Sequence, residues 1–233
     1  MRLSIEYELS SNQMPKDYRR VFMSLIKKAI QIENSKLFER YYNGHKIKPF
    51  TFSVYFPELK GEQNGYFIVG NKARLDFSTS QMELGTQIYN GLISIDKYSF
   101  FEGSAMFRRK ISLWKAENIS TNEVTFKTIG PVLVNNIGSS DKYLLPGEEG
   151  FLDGLRFAVN EVSKAFLKVE KDITFEFTPL QWKRKVIWHY KQKRPAFVGM
   201  FNLRSEAKIL QLTYDIGIGV RRNQGFGMLE VVK

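Results

Sequence analysis

The sequence of 233 residues contains no cysteine. Disulfides, thiolate nucleophiles and metal centres held by cysteine are therefore excluded. Histidine is scarce as well, because only His45 and His189 are present. Two imidazoles far apart in the chain, without acidic residues at a metal-binding spacing, do not form a typical set of metal ligands. We therefore expect a protein that uses no metal and no cofactor.

Long hydrophobic runs are also missing. No apolar stretch approaches the roughly 20 residues that a helix needs to cross a bilayer. Residues 1–6 alternate between apolar and polar side chains, which is typical of a strand and not of a signal peptide. These patterns predict a cytoplasmic protein that does not span a membrane.

Acidic residues are outnumbered by basic ones. The chain has 35 Lys and Arg against 24 Asp and Glu, so its formal net charge is +11. A positive excess of this size indicates a polyanionic partner, and nucleic acid or an anionic membrane would both fit. The length suits one large domain or two small ones.

The first half of the chain shows an alternation of strand and helix patterns. Apolar residues at helical spacing follow Tyr18, and Asn34 can cap a short second helix that extends to Tyr42. Gly70 and Asn71 are suited to a hairpin turn. We predict strands over residues 2–9, 49–56, 66–69, 73–78 and 100–113 and a further helix over residues 81–92. The order is β-α-β-β-α-β.

The same order of elements recurs in the second half. We predict strands over residues 124–134 (bent or broken at Gly130), 173–177, 181–191, 197–203 and 226–232, with helices over residues 148–167 and 206–214. The expected fold is therefore α+β, with tandem ferredoxin-like (βαββαβ) domains. Their expected bounds are residues 1–118, which carry the candidate catalytic loop, and residues 119–233.

A glycine-rich loop near the C-terminus is the most distinctive motif. Residues 217–219 and 225–227 are both Gly-x-Gly, and Arg221 and Arg222 lie between them. Glycine permits positive φ and close approach to backbone N–H groups, so the loop could present amides and two guanidinium groups to phosphates. A Rossmann site is excluded because too little chain follows Gly227. A plain turn before a terminal strand is the alternative explanation.

The predicted strand over residues 181–191 carries positive charge on alternate positions. Side chains of a strand alternate between its two faces, so Trp182 and Trp188 should face the core and Lys183 and Lys185 the solvent. Between residues 178 and 205 there are seven positive residues and no acid. Together with the glycine-rich loop and residues 108–110 (Arg-Arg-Lys), this strand predicts a track for a polyanion.

The chain resembles the Cas six family of CRISPR-associated endoribonucleases, which cut repeat RNA. The family's C-terminal pattern, two Gly-apolar-Gly units separated by five residues that include Lys or Arg, is matched without a gap by residues 217–227. Residues 14–18 and 25–30 resemble its first helix, and residues 48–53 resemble the strand that follows its catalytic histidine. The resemblance implies the same tandem ferredoxin-like fold.

The resemblance also implies a metal-independent reaction. The substrate 2′-hydroxyl attacks the neighbouring phosphate of precursor CRISPR RNA and leaves 2′,3′-cyclic phosphate and 5′-hydroxyl ends. His45 occupies the place of the family's histidine, and imidazole suits proton transfer at neutral pH. Lys48 matches a lysine that stabilises the developing charge in some relatives. Lys27 stands where some relatives have a tyrosine, so Lys27, Tyr41 or Tyr42 is expected to supply the second catalytic group.

The resemblance extends to the RNA contacts. The residues expected to bind RNA are Gly217, Gly219, Arg221, Arg222, Gly225, Gly227, Lys183, Lys185, His189 and Lys191. For His189, contact with RNA or with solvent is favoured over catalysis. The expected partners are CRISPR repeat RNA and, in addition, other subunits of a CRISPR effector complex. A monomer and a homodimer both fit.

Two other functions remain open at this point. The first is a subunit that binds repeat RNA without cutting it, which would have no need of His45 and Lys48. The second is a metabolic protein that binds a phosphate. This function would explain the glycine-rich loop but not the net charge of +11. RNA affinity that depends on salt would separate the second from the others.

Overall fold

The computed structural model describes residues 1–101, 103–190 and 192–232. In the first half the elements are β1 (Arg2–Leu9), β2 (Gln13–Pro15), α1 (Arg19–Glu33), α2 (Ser35–Tyr42), β3 (Phe50–Tyr55), β4 (Gly61–Gln63), β5 (Tyr66–Ile68), β6 (Lys72–Thr79), α3 (Met82–Ile93), β7 (Lys97–Phe101) and β8 (Ser104–Trp114). In the second half they are β9 (Glu123–Thr128), β10 (Asn135–Asn136), β11 (Ser139–Tyr143), α4 (Phe151–Leu167), β12 (Glu176–His189), β13 (Gln192–Arg204), α5 (Ala207–Ile216) and β14 (Leu229–Val231).

Each half is built on one antiparallel sheet. The strand order is β3-β6-β1-β8-β7 in the first sheet and β12-β13-β9-β14 in the second. When the four strands of the βαββαβ unit are numbered along the chain, both sheets have the order 2-3-1-4, and β7 adds an edge strand to the first. This is the ferredoxin-like topology. The predicted α+β fold with two ferredoxin-like units is confirmed, and residues 1–118 and 119–233 remain our proposal for the domain bounds.

Helices cover one face of each sheet, as their apolar spacing predicts. In α1 the buried side chains include Phe22, Leu25 and Ile26, which belong to the same core as the sheet residues Phe52 and Phe77. The side chain of Asn34 accepts a hydrogen bond from the Leu37 N–H at 2.9 Å and so caps α2. A separate core beneath α4 and α5 is formed by residues that include Leu155, Leu210, Phe197 and Phe201.

Two predictions for the first half are wrong. The strands on either side of Gly70 do not form a hairpin, because β5 pairs with β2 and β4 in a small sheet while β6 pairs with β1 and β3. β6 is buried over most of its length and therefore takes an interior position of the main sheet, between β3 and β1, which the half-buried β5 could not do. The single strand predicted over residues 100–113 is the hairpin of β7 and β8, with Gly103 at a φ of 78°.

The prediction of a core face on the strand over residues 181–191 is also wrong. β12 pairs with β13 along its whole length. On its other side, β13 pairs with β9 only from Met200 to Arg204. Before Met200, β13 keeps only an isolated bridge from Phe197 to Val132, and no further strand of the described residues pairs with this part of the hairpin. Trp182 and Val186 are 37% and 54% exposed as a result.

No helix among the described residues has the length and apolar character needed to cross a membrane. Over the same part of the chain, His, Asp and Glu side chains do not gather in groups of three or more that would hold a metal ion.

Candidate active site

The glycine-rich loop joins α5 to β14 and is packed closely on its surroundings. Its four glycines all have positive φ, between 74° and 91°. Added Cβ atoms would lie 2.3 Å from the Leu133 carbonyl oxygen at Gly219 and 2.0 Å from the Ile218 carbonyl oxygen at Gly227. The loop therefore requires glycine for its backbone conformation and for the close approach of neighbouring backbone.

The first half of the chain holds the glycine-rich loop through the loop's own carbonyl groups. Arg19 Nε donates to the Gly225 carbonyl at 3.2 Å, and Thr51 Oγ1 donates to the Phe226 carbonyl at 2.8 Å. Arg2 donates to the carbonyl of Leu229, just beyond the loop. The loop thus lies at the junction of the two ferredoxin-like units and fixes them to each other.

The two arginines of the glycine-rich loop have different surroundings. Arg221 Nε donates to the Tyr143 hydroxyl at 2.7 Å, and Arg221 Nη1 lies 3.3 Å from Gln224 Oε1. Arg222 packs between α4 and α5, where burial lowers its pKa to about 10. A group with this pKa is still charged at neutral pH. Neither arginine has an acidic partner within the described residues, so no carboxylate neutralises either charge.

His189 lies in a buried polar network instead of on an exposed face. Its side chain is fully buried, and Nε2 lies 2.8 Å from Gln224 Oε1 of the glycine-rich loop. Nδ1 lies 3.5 Å from Asp17 Oδ1, and Asp17 Oδ2 accepts a hydrogen bond from the Tyr190 N–H at 3.1 Å. The prediction of a solvent-facing His189 is wrong because the turn after β12 folds back onto the segment before α1. His189 joins that segment to the glycine-rich loop.

The lysines of β12 lie on the hairpin of β12 and β13. Lys183 and Lys185 are both exposed, and Lys191 falls outside the described residues. Loss of hydration lowers the pKa of Lys185, and the charges of Arg19 and Lys183 add to the effect. Positive charge is therefore concentrated where the hairpin passes the start of α1.

Arg108 and Arg109 do not extend this concentration of unneutralised charge. Arg108 is paired with Asp96, and Arg109 lies 2.5 Å from Glu8 Oε2. The predicted contribution of these two arginines to a polyanion track is therefore not supported, because nearby acids already neutralise them.

A second cluster forms where α1, α2 and the loop before β3 meet. Two ammonium groups lie close to the ring of Tyr42, whose centroid is 4.9 Å from Lys27 Nζ and 4.8 Å from Lys48 Nζ. His45 is exposed on the loop that joins Tyr42 to Lys48. The structure thus brings together three residues that the resemblance proposed, and it places the fourth on the short segment between them.

Burial and charge alter the proton affinities in this cluster. Burial raises the pKa of Tyr42, so its hydroxyl stays protonated at neutral pH. Burial, together with the charge of Lys27, lowers the pKa of Lys48. Lys48 Nζ donates to the Lys46 carbonyl at 3.2 Å. The cluster therefore places two neighbouring cations beside a buried, neutral phenol, and the two ammonium groups are suited to binding and polarising a phosphate group.

The structure separates the two tyrosines that the sequence left as alternatives. The Tyr41 hydroxyl donates to the Gln81 side chain, next to the start of α3. The Tyr42 hydroxyl is buried without a hydrogen-bond partner among the described residues. Tyr42 is therefore the tyrosine placed beside Lys27 and Lys48, whereas Tyr41 is engaged elsewhere.

Comparison with known proteins gives a consistent result. The family model "CRISPR associated protein Cas6, C-terminal" matches residues 114–231. The "CRISPR-associated endoribonuclease Cas6" of Pyrococcus furiosus is 23% identical over 244 residues, which cover 99% of this chain and 88% of the relative. The "CRISPR-associated endoribonuclease Cas6 1" of Methanocaldococcus jannaschii is 24% identical, with 97% of this chain and 92% of the relative covered.

Solved structures show the same fold. A Cas6-related protein from Pyrococcus furiosus superposes with a TM-score of 0.85 at 20% identity, covering 100% of this chain and 98% of that chain. A structure described as "An RAMP protein binding different RNA substrates" gives a TM-score of 0.84 at 18% identity, with 100% of both chains covered.

Proposed function

The chain belongs to the Cas6 family of CRISPR-associated proteins, and we propose that it is an endoribonuclease that binds CRISPR repeat RNA and cuts precursor CRISPR RNA without a metal ion. The observation that carries this proposal is the cluster of Lys27, Tyr42 and Lys48 beside the exposed His45. Two endoribonucleases of this family match nearly the whole chain and so support RNA cleavage.

The proposed reaction is an internal transfer of the phosphate. The substrate 2′-oxygen attacks the adjacent phosphorus as its proton leaves, a P–O2′ bond forms and the P–O5′ bond breaks. The departing 5′-oxygen takes up a proton, so the products are a 2′,3′-cyclic phosphate and a 5′-hydroxyl. His45 performs one of the two proton transfers. Lys27, Tyr42 or Lys48 assists the other, and the two ammonium groups stabilise the charge on the phosphorane.

RNA binding is assigned to two surfaces near this cluster. The glycine-rich loop offers the charges of Arg221 and Arg222 and not its glycine amides, because the N–H groups of Gly217, Gly225 and Gly227 already donate to backbone carbonyls. The exposed hairpin offers Lys183 and Lys185. Contacts to phosphates of this kind supply affinity that is independent of sequence and sensitive to salt.

The proposal is tested with CRISPR repeat RNA, taken from a repeat array beside the gene where one is present. We expect the protein to cut this RNA at one position in excess EDTA, because no step in the reaction requires a metal ion. End-group analysis by phosphatase treatment and mass spectrometry should find a 2′,3′-cyclic phosphate and a 5′-hydroxyl. Cleavage that stops in EDTA and resumes with Mg²⁺ would contradict the mechanism. Binding without any cleavage would favour a subunit that only binds repeat RNA.

Replacement of both Arg221 and Arg222 by alanine is expected to weaken RNA binding and to flatten its salt dependence. Loss of two phosphate contacts should reduce the slope of log K against log salt concentration by roughly 1.4–1.8. The measurement is a filter-binding or anisotropy titration at several salt concentrations.

Matched controls distinguish this effect from a general loss of positive charge. Arg156 and Arg204 are also arginines of the second half, but each is paired with an acid, Asp153 at 3.5 Å and Glu123 at 3.3 Å respectively. Their double alanine variant should keep the slope of the parent. Because Arg222 is packed between helices, Arg221→Ala alone is also measured and should reduce the slope by roughly 0.7–0.9. An unchanged slope in both loop variants would remove these arginines from the RNA interface.

A further inference from the structure

A groove on the described surface lies apart from the glycine-rich loop. It has a volume of about 610 Å³ and lies between α1, β7 and the turn after β12. Its walls include Arg20, Ser24 and Lys27 of α1, Tyr98 and Phe101 of β7, and Tyr190 of the turn. A groove of this volume is large enough for a ligand of nucleotide size.

Two aromatic side chains are presented to solvent in the groove. Phe101 is 39% exposed and Tyr190 is 42% exposed, although large aromatic residues are generally buried. The Tyr190 backbone N–H is fixed by Asp17, and the Arg20 guanidinium lies 5.3 Å from the Tyr190 ring centroid. The Phe101 ring packs on Tyr66 with their centroids 6.0 Å apart. Both rings are therefore held in place while part of their surface stays open.

The groove adjoins the candidate catalytic cluster through one residue. Lys27 lines the groove, and its ammonium group also lies over the Tyr42 ring. Within the described residues Lys27 has no acidic partner. Arg20 lies 3.7 Å from Asp17, so the unpaired positive charge of the groove is that of Lys27.

We propose that this groove binds one unpaired nucleotide of the RNA next to the scissile phosphate. The base stacks on Tyr190 and Phe101, and the neighbouring phosphates contact Arg20 and Lys27. Aromatic faces combined with cationic side chains are the chemistry that recognises single-stranded nucleic acid. The position of Lys27 places the bound nucleotide beside Tyr42 and Lys48. The inference rests on the proposed function and adds a site to it.

The test is a double-mutant cycle on RNA affinity, in which one change is made in the protein and the other in the RNA. Tyr190→Ala should lower the affinity for repeat RNA about 5- to 150-fold, the effect of losing one base-aromatic stack. Tyr190→Phe, which keeps the ring, should bind as the parent does. A series of repeat RNAs is then prepared, each with one abasic nucleotide. One of these RNAs should bind the parent more weakly than intact RNA does. Tyr190→Ala should bind that abasic RNA and intact RNA with equal affinity. This coupling identifies the nucleotide in the groove.

A matched control comes from the opposite face of the first sheet. Tyr55 is 52% exposed, and the Arg74 guanidinium lies 5.2 Å from its ring centroid, so it repeats the local chemistry of Tyr190 outside the groove. Tyr55→Ala should show the affinity of the parent with every RNA. If the loss of affinity caused by Tyr190→Ala simply adds to the loss caused by the abasic nucleotide at every position, and the parent still cuts RNA, the groove proposal is overturned and the proposed function stands. A parent that binds RNA without cutting would refute only catalysis, and one that does not bind would refute both proposals.

Discussion

Replacement of His45 by alanine is expected to slow cleavage of repeat RNA by about 10²–10⁴-fold, the usual contribution of a group that transfers a proton in the transition state. RNA affinity should remain close to that of the parent. His45 is exposed on its loop, so its removal leaves the core, the glycine-rich loop and the lysines of β12 as they are. Single-turnover cleavage and equilibrium binding, measured on the same RNA, separate the two effects.

Two controls sharpen the His45 experiment. Ile47→Ala changes an exposed residue of the same loop, 38% exposed, and should leave the cleavage rate unchanged. RNA with a 2′-deoxynucleotide immediately 5′ of the scissile bond lacks the proposed nucleophile and should bind without being cut by the parent. If His45→Ala keeps full activity, proton transfer must be assigned to Lys27, Tyr42 and Lys48 instead. If the deoxy substrate is cut, the attack of the 2′-oxygen is wrong.

The local elements of the fold could be predicted because local chemistry determines them. The apolar spacing in α1, the Asn34 cap of α2 and the glycines after α5 each act within a few residues. Strand pairing could not be predicted in the same way. Whether β5 or β6 joins the main sheet depends on burial against β1 and β3, which lie far away in the chain.

The candidate site could likewise be predicted only where its residues belong to short local motifs. Lys27, Tyr42, His45 and Lys48 were proposed from a resemblance in short motifs, and three of them meet because α1 and α2 are neighbours. The role of His189 was missed because its partner Asp17 lies at the other end of the chain. Alternation along a strand cannot reveal that one end of the strand is buried under another domain.

Replacement of Gly219 by alanine is expected to lower the free energy of unfolding by roughly 2–5 kcal/mol. Part of this loss is backbone strain, because Gly219 has a φ of 77°. The larger part is steric, since the new Cβ would lie 2.3 Å from the Leu133 carbonyl oxygen, which also accepts the Val220 N–H at 2.9 Å. The glycine-rich loop must shift and give up that hydrogen bond. The measurement is urea denaturation of the variant and of the parent.

Gly147 provides the matched control for strain without a steric clash. Its φ of 92° is also positive, and no atom lies within 4 Å of the position of an added Cβ. Gly147→Ala should therefore cost only the roughly 1–2 kcal/mol of a left-handed backbone. A shift of the glycine-rich loop should also weaken RNA binding, because the loop holds the junction between the two ferredoxin-like units. Equal losses of stability in the two variants would mean that close packing at Gly219 contributes nothing, and normal RNA affinity in Gly219→Ala would mean that the loop only forms a turn.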